Sequence, residues 1–212
     1  MSYAELITIM PVFNEAEGVS NVITEWLHAL SRERVKHRLI AINDGSTDAT
    51  FSILQNLQSQ FPGELIVLNK SNSGHGQTCR FGYEFALEQG APWILQIDSD
   101  GQCDPSFVPE FMAKRSRADC VFGVRVKRED GVMRKLISEV NRLLVAFVTG
   151  QNLRDPNVPY RLIKSETLGK ALRSIPKEFD LQNVALAVAL KRNRNVRWAF
   201  VPIRFRAQST RK

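Results

Sequence analysis

Two carboxylates one residue apart, Asp98 and Asp100, close the apolar run Trp93-Ile-Leu-Gln-Ile and are followed by the amide of Gln102. Hard oxygen donors of this kind suit Mg²⁺ or Mn²⁺, ions that keep coordination positions open for phosphate oxygens and water. The same residues could instead form an Asp-rich turn that ends a strand and caps the next helix. Polar groups stand in comparable places elsewhere, with Asn14-Glu15 after an apolar stretch over 6–13 and Asp44-Gly-Ser-Thr-Asp48 after one over 38–43. Asp44 could accept a hydrogen bond from a base or a ribose.

These groups cooperate only if strands deliver them to one edge. Apolar, β-branched runs predict strands over 6–13, 38–43, 65–68 and 93–98. Between them, Val19, Val22, Ile23, Trp26, Leu27 and Leu30 form one helical stripe; Phe51, Leu54 and Leu57 give a second helix its buried side. The Gly/Asn/Ser loop 69–76 leads into a third helix through Phe81, Phe85 and Leu87. Gly45 allows a turn, and Ser46, Thr47 or Asp48 can cap the helix after it. Four strand-then-helix units imply an α/β fold with an open, doubly wound, mostly parallel sheet, whose ligands gather at the carboxyl ends of the strands. Neither a G-x-G-x-x-G turn nor a G-x-x-x-x-G-K-[ST] loop is present.

Beyond residue 104 the pattern loosens. A helix carrying Phe107, Phe111 and Met112 precedes a strand over 120–124 that ends at Arg125. Residues 134–149 are amphipathic, with Leu136, Val140, Leu143 and Phe147 on one stripe and a basic start. Such a helix either packs on the core or lies in a membrane interface. The stretch from Asp155 to Arg161 leads into a short strand, followed by a helical run over 181–190 and a strand-like 196–201.

With 212 residues, 43% apolar and 24% charged, the chain reads as one domain: a nucleotide-binding half over 1–103 and an acceptor-side half over 104–212. No run of about 18 apolar residues and no leader pattern is seen, which predicts a cytoplasmic protein. Cys79, Cys103 and Cys120 lack metal spacing and read as reduced thiols. Residues 1–100 hold 6 Lys+Arg against 12 Asp+Glu, and residues 101–212 hold 23 against 10, so the halves carry −6 and +13. A basic second half suits a phosphorylated ligand, a membrane surface or nucleic acid, or is a solvated face. Nucleic acid is the poorest fit, because no aromatic interleaving or recognised motif accompanies the charge and the acidic constellation would go unexplained.

Four motifs in order resemble family 2 glycosyltransferases of the GT-A fold, and among them the polyprenyl-phosphate glycosyltransferases related to dolichol-phosphate mannose synthase. Pro11-Val-Phe-Asn-Glu15 is similar to the family's P-x-[YF]-N-E, Asn43-Asp-Gly-Ser-Thr-Asp48 to its [VIN]-D-D-G-S-x-D, Asn72-Ser-Gly-His-Gly76 to its N-x-G-x-G, and Asp98-Ser-Asp-Gly-Gln102 to its D-A-D-[LG]-Q. The likeness runs over residues 5–211. It implies an inverting hexosyltransferase using Mg²⁺ or Mn²⁺, a nucleotide-sugar donor and a lipid-phosphate acceptor, peripheral on the cytoplasmic face of a membrane. Pro11, Phe13, Glu15, Asp44 and Ser99 would line the donor, while Asp98, Asp100 and Gln102 would hold the metal. Arg125 would meet the donor phosphates. Arg134 and Ser138 would receive the lipid phosphate, with Arg161 beside them. On this reading Asp100, Arg125 and Arg134 carry catalysis.

The terminal R-x-x-G-x-[ST]-[KR] stands here as Arg204-Phe-Arg-Ala-Gln-Ser-Thr210, with Ala207 for Gly and Arg211 displaced by one; Arg204 and Arg211 would also face the donor. Many relatives continue into membrane helices that this sequence lacks, so the chain is either of a short, peripheral kind or a truncation of a longer protein. The chief alternative is transfer to a glycan or other hydroxyl, with Asp180 or Glu178 as general base.

Overall fold

The computed structural model describes residues 4–126, 155–179 and 182–206. Its centre is β1, Leu6–Val12, buried along its whole length as expected of a strand covered on both faces. Helix α1, Val19–Arg32, buries the six residues of its apolar stripe. Strand β2 is His37–Asp44, α2 is Thr50–Gln60, β3 is Leu65–Lys70, α3 is His75–Glu88 and β4 is Trp93–Gln96. A 3₁₀ turn over Pro105–Phe107 and α4, Val108–Lys114, lead to β5, Cys120–Arg125. Then come β6 Arg161–Lys164, α5 Ser165–Arg173, α6 Gln182–Arg192 and β7 Trp198–Ile203.

The strands make one sheet in the order β3-β2-β1-β4-β6-β5-β7. Pairings among β3, β2, β1 and β4 are parallel, as is β5 with β7. Strand β6 runs antiparallel to both β4 and β5. The sheet is therefore mostly parallel, with a reversed strand wedged beside the one that carries the aspartates.

Two departures from the sequence pattern have local causes. Helix α3 buries Thr78, Cys79, Tyr83 and Ala86, while Phe81 is exposed. It can lie close to the sheet because Gly82 faces it: a Cβ there would meet Ile42 Cδ1 at 2.7 Å and Ile9 Cβ at 3.3 Å. Helix α5, unforeseen, buries Leu168, Ala171 and Leu172. Buried Arg80 of α3 caps its C-terminal end, donating to the carbonyls of Leu172, Ile175 and Pro176 at 3.2, 3.2 and 3.0 Å. All three cysteines are buried and unbridged. Among the described residues no helix is long and apolar enough to cross a membrane.

Candidate active site

Register explains why distant polar groups meet. Ile9 pairs with Gln96, and Pro11 with Ile42. Two residues further along each strand, Asp98 comes level with buried Pro11, and Asp44 with half-exposed Phe13. The groups after β1, β2 and β4 thus share one sheet edge.

The loops at that edge are tied to one another. Asn14 sits at φ +52°, a left-handed conformation that Asn tolerates better than most residues. Its backbone N–H donates to Ser46 Oγ at 3.0 Å, and its Oδ1 accepts from Thr47 N at 2.8 Å. The Glu15 N–H donates to Thr50 Oγ1 at 2.8 Å and that of Ala16 to Asp48 Oδ2 at 3.2 Å. None of the three candidate caps takes the N-cap position, which falls to Ala49; Asp48, one residue before it, still holds the helix start, its Oδ1 accepting from Thr50 N at 2.9 Å.

Asp44 is buried and fully engaged by its own chain. Lys70 Nζ lies 2.5 Å from Oδ1, Ser73 N donates to the same oxygen at 2.9 Å, and Gly74 N donates to Oδ2 at 3.1 Å. Burial raises its pKa, but Lys70, with Ser73 and Thr78, outweighs that effect and holds the carboxyl below its ordinary range. Asp44 therefore shapes the 69–76 loop, and a nucleotide at this edge would share it with that loop.

Asp98 has the opposite character. Its Oδ1 is buried without a hydrogen-bond partner, and burial, reinforced by Asp100, pushes its pKa up to about 7. An orphaned, electrostatically strained carboxylate is relieved by a cation, so the donors fit a hard divalent ion. Asp100 is partly exposed, with Gln102 N donating to its Oδ1 at 3.0 Å; Ser99 between the aspartates is buried. Among the described residues no three His, Cys, Asp or Glu side chains are gathered to enclose an ion. Two carboxylates with positions left for phosphate and water are what Mg²⁺ commonly takes.

Beneath Asp98 runs a buried polar chain that the sequence reading missed. Tyr83 donates its hydroxyl to Gln96 Oε1, and Gln96 Nε2 donates to Asn183 Oδ1 at 3.0 Å. Asn183 Nδ2 then lies 3.5 Å from His75 Nε2, which in turn is 3.7 Å from Asp98 Oδ1. Burial, with nearby Arg161, holds His75 below its ordinary range and so neutral. The one sequence signal was Gln96, a polar residue inside an apolar strand.

The cationic groups divide. Arg125 is clamped by Asp155, its Nε donating to Oδ2 at 2.6 Å and its Nη2 to Oδ1, and its guanidinium lies 5.4 Å from the Phe205 ring centroid. The Asp155 pair raises its already high pKa. Among the described residues Nη1 has no hydrogen-bond partner. Arg161, expected beside the acceptor phosphate, is instead fully buried. Its Nε donates to Val158 O at 2.6 Å, its Nη2 to Pro156 O at 2.7 Å and its Nη1 to Asn183 O at 2.8 Å. A guanidinium sealed among carbonyls does not receive a phosphate from solvent; it pins the 155–158 turn to the start of α6.

In the terminal segment Arg204 is exposed. Arg206, which the motif did not single out, bridges Glu25 at 2.7 Å and Asp104 at 2.8 Å, while its N–H donates to Gln102 O at 3.0 Å. Arg134, Ser138, Asp180, Ala207, Thr210 and Arg211, with the expected helix over 134–149, lie outside the described residues.

The glycosyl transferase family 2 model matches residues 7–170, and the chain belongs to that family. It is similar to an undecaprenyl-phosphate mannosyltransferase of Micrococcus luteus, 26% identical over 169 residues that make 77% of this chain and 68% of that protein. It is also 26% identical over 167 residues to the undecaprenyl-phosphate 4-deoxy-4-formamido-L-arabinose transferase of Pectobacterium atrosepticum, covering 78% of this chain and half of the relative's length. Among solved structures, glucosyl-3-phosphoglycerate synthase from Mycobacterium tuberculosis, in complex with Mn²⁺, UDP-glucose and phosphoglyceric acid, superposes with TM-score 0.65 at 18% identity, covering 99% of this chain and 73% of that one. TarS 1–349 of S. aureus does so with TM-score 0.61 at 19% identity, covering 95% and 59%. The fold is that of the GT-A glycosyltransferases.

Proposed function

We propose that this chain transfers a hexosyl group, with inversion, from a nucleotide sugar to a polyprenyl phosphate at the cytoplasmic face of a membrane. The single observation that carries the reading is Asp98: a partly exposed carboxylate whose buried Oδ1 has no partner, set with Asp100 at the edge where strands β1, β2 and β4 end. The names of the relatives in family 2 supply the acceptor class.

Pro11, Phe13, Glu15 and the Asp44 loop would line the donor, and Asp98, Asp100 and Gln102 would hold Mg²⁺ or Mn²⁺. When bound, such an ion supplies Lewis-acid stabilisation of the departing nucleoside diphosphate, an effect of several kcal/mol. Arg125, fixed by Asp155, offers its Nη1 edge to the same negative charge. Arg134 and Ser138 hold the acceptor phosphate, whose oxygen attacks the anomeric carbon from the face opposite the leaving group. The C–O bond to the nucleoside diphosphate breaks as the new one forms, and the electron pair leaves with that diphosphate. A phosphate monoester is largely ionised near pH 7, so this acceptor needs no protein base. Glu178, one candidate base for a hydroxyl acceptor, is exposed.

The test is transfer from a panel of GDP-, UDP- and dTDP-sugars to undecaprenyl phosphate in detergent, in parallel with free sugars. Labelled lipid with Mn²⁺ or Mg²⁺, and none with EDTA, is expected. Transfer to hydroxyl acceptors alone would overturn the lipid reading.

A further inference from the structure

His75 opens α3 on the donor side of Asp98, with its side chain 49% exposed. Its Nε2 stands 3.7 Å from Asp98 Oδ1, the oxygen that lacks a hydrogen-bond partner. That gap is too long for a hydrogen bond. It lies just above the ~3.0–3.6 Å that separates two ligands each about 2.1 Å from a shared ion.

The polar chain behind the ring determines which nitrogen is free. Tyr83 donates to Gln96 Oε1, so the Gln96 amide must present its NH₂ to Asn183 Oδ1. The Asn183 NH₂ is thereby turned toward His75 Nε2, at 3.5 Å. A ring nitrogen faced by an N–H donor is the one without a proton. Nε2 thus carries the lone pair, and at 3.5 Å the amide holds it only weakly. The remaining neighbour, Cys79 Sγ at 3.4 Å, is at most a weak S–H donor to that nitrogen. One oxygen and one nitrogen, both without a tight partner, face each other 3.7 Å apart.

We propose that His75 Nε2 is a ligand of the divalent ion held at Asp98, and that this nitrogen makes the site favour Mn²⁺ over Mg²⁺. The preference is one of degree: both ions take mainly oxygen ligands, but Mn²⁺, a first-row transition ion, accepts an imidazole nitrogen more readily than Mg²⁺, which holds to oxygen and water. The proposal rests on the assignment of Asp98 and Asp100 as metal ligands; because the three side chains are not gathered around one point in this arrangement, binding draws Asp100 toward the Asp98–His75 pair, and the test separates the role of His75 from that of the carboxylates.

Pulsed EPR of the full chain with Mn²⁺ alone reads the ligand directly. Wild-type protein is expected to show the ¹⁴N coupling of a directly bound imidazole, and His75→Ala to lose it. In calorimetric titrations His75→Ala should bind Mn²⁺ at least about tenfold more weakly while its Mg²⁺ affinity changes little. Bound Mn²⁺ without ¹⁴N coupling in the wild type, or equal losses for both ions in His75→Ala, overturns the role of His75 and leaves the carboxylate site standing. Mn²⁺ binding that is absent, or that survives both Asp98→Ala and Asp100→Ala, overturns the metal assignment and this proposal with it.

Discussion

Replacing Arg161 with Met removes a buried guanidinium while keeping most of its volume. Three backbone carbonyls, those of Pro156, Val158 and Asn183, lose charge-assisted donors at 2.7, 2.6 and 2.8 Å. Leaving a buried acceptor unsatisfied costs about 1–3 kcal/mol each, or roughly 3–9 in all. Against this, Arg161 has no carboxylate within ion-pair distance among the described residues, and burial lowers its pKa. Removing a cation so poorly compensated offsets several kcal/mol of desolvation. The net loss should therefore fall near the low end, about 3 kcal/mol. Urea unfolding followed by far-ultraviolet circular dichroism measures it, with Arg161→Lys as a companion that keeps the charge and loses the fork. A stability change under about 0.5 kcal/mol, together with a raised KM for lipid acceptor, would refute the structural role and return Arg161 to the acceptor site.

Lys70→Met should destabilise the protein at pH 7 by stripping buried Asp44 of its cation. Because the folded Asp44 pKa lies below its unfolded value, the stability it contributes is present above about pH 4 and lost as pH falls through the folded pKa. The gap between wild type and variant in thermal unfolding should accordingly narrow at low pH; a constant gap counts against the assignment. Asp98 has the reverse sign: its folded pKa is raised to about 7, so the stability that Asp98 itself contributes in metal-free protein is fully present below about pH 4 and is lost as pH rises through about 7. Asp98→Asn should hence melt higher than metal-free wild type at pH 8 yet gain nothing from Mn²⁺, and a lower melting temperature would count against the strain. Gly45→Ala should cost about 2 kcal/mol in chemical unfolding, since Gly45 has φ +66° and a Cβ would meet Asn72 N at 2.7 Å; an unchanged midpoint would show that the 69–76 loop yields freely.

The amino-terminal half was legible because parallel strands buried on both faces read as unbroken apolar runs, each ending in the polar residues it delivers. All six residues of the α1 stripe are buried as their spacing predicts. The carboxyl-terminal half was harder. Strand β6 spans four residues and contains an arginine, and its antiparallel place between β4 and β5 depends on partners far away in sequence. Helix α5 went unread because Leu168, Ala171 and Leu172 make too short a stripe to stand out. Arginine in a motif suggests phosphate, yet at position 161 tertiary packing supplies carbonyls instead. The neighbours of Asp44 and Asp98 were illegible for the same reason: Lys70 and His75 reach them through loop and helix placements that no local pattern specifies.

The most direct test of the aspartate-centred donor site is thermal unfolding with Mn²⁺ and each of a panel of GDP-, UDP- and dTDP-sugars, in wild type and Asp100→Ala. At 100 times its dissociation constant, one ligand should add roughly 2.7 kcal/mol to wild-type stability, an increment that requires Mn²⁺ and vanishes in the variant. Stabilisation by a nucleotide sugar that persists unchanged in Asp100→Ala, or in the presence of EDTA, would contradict it.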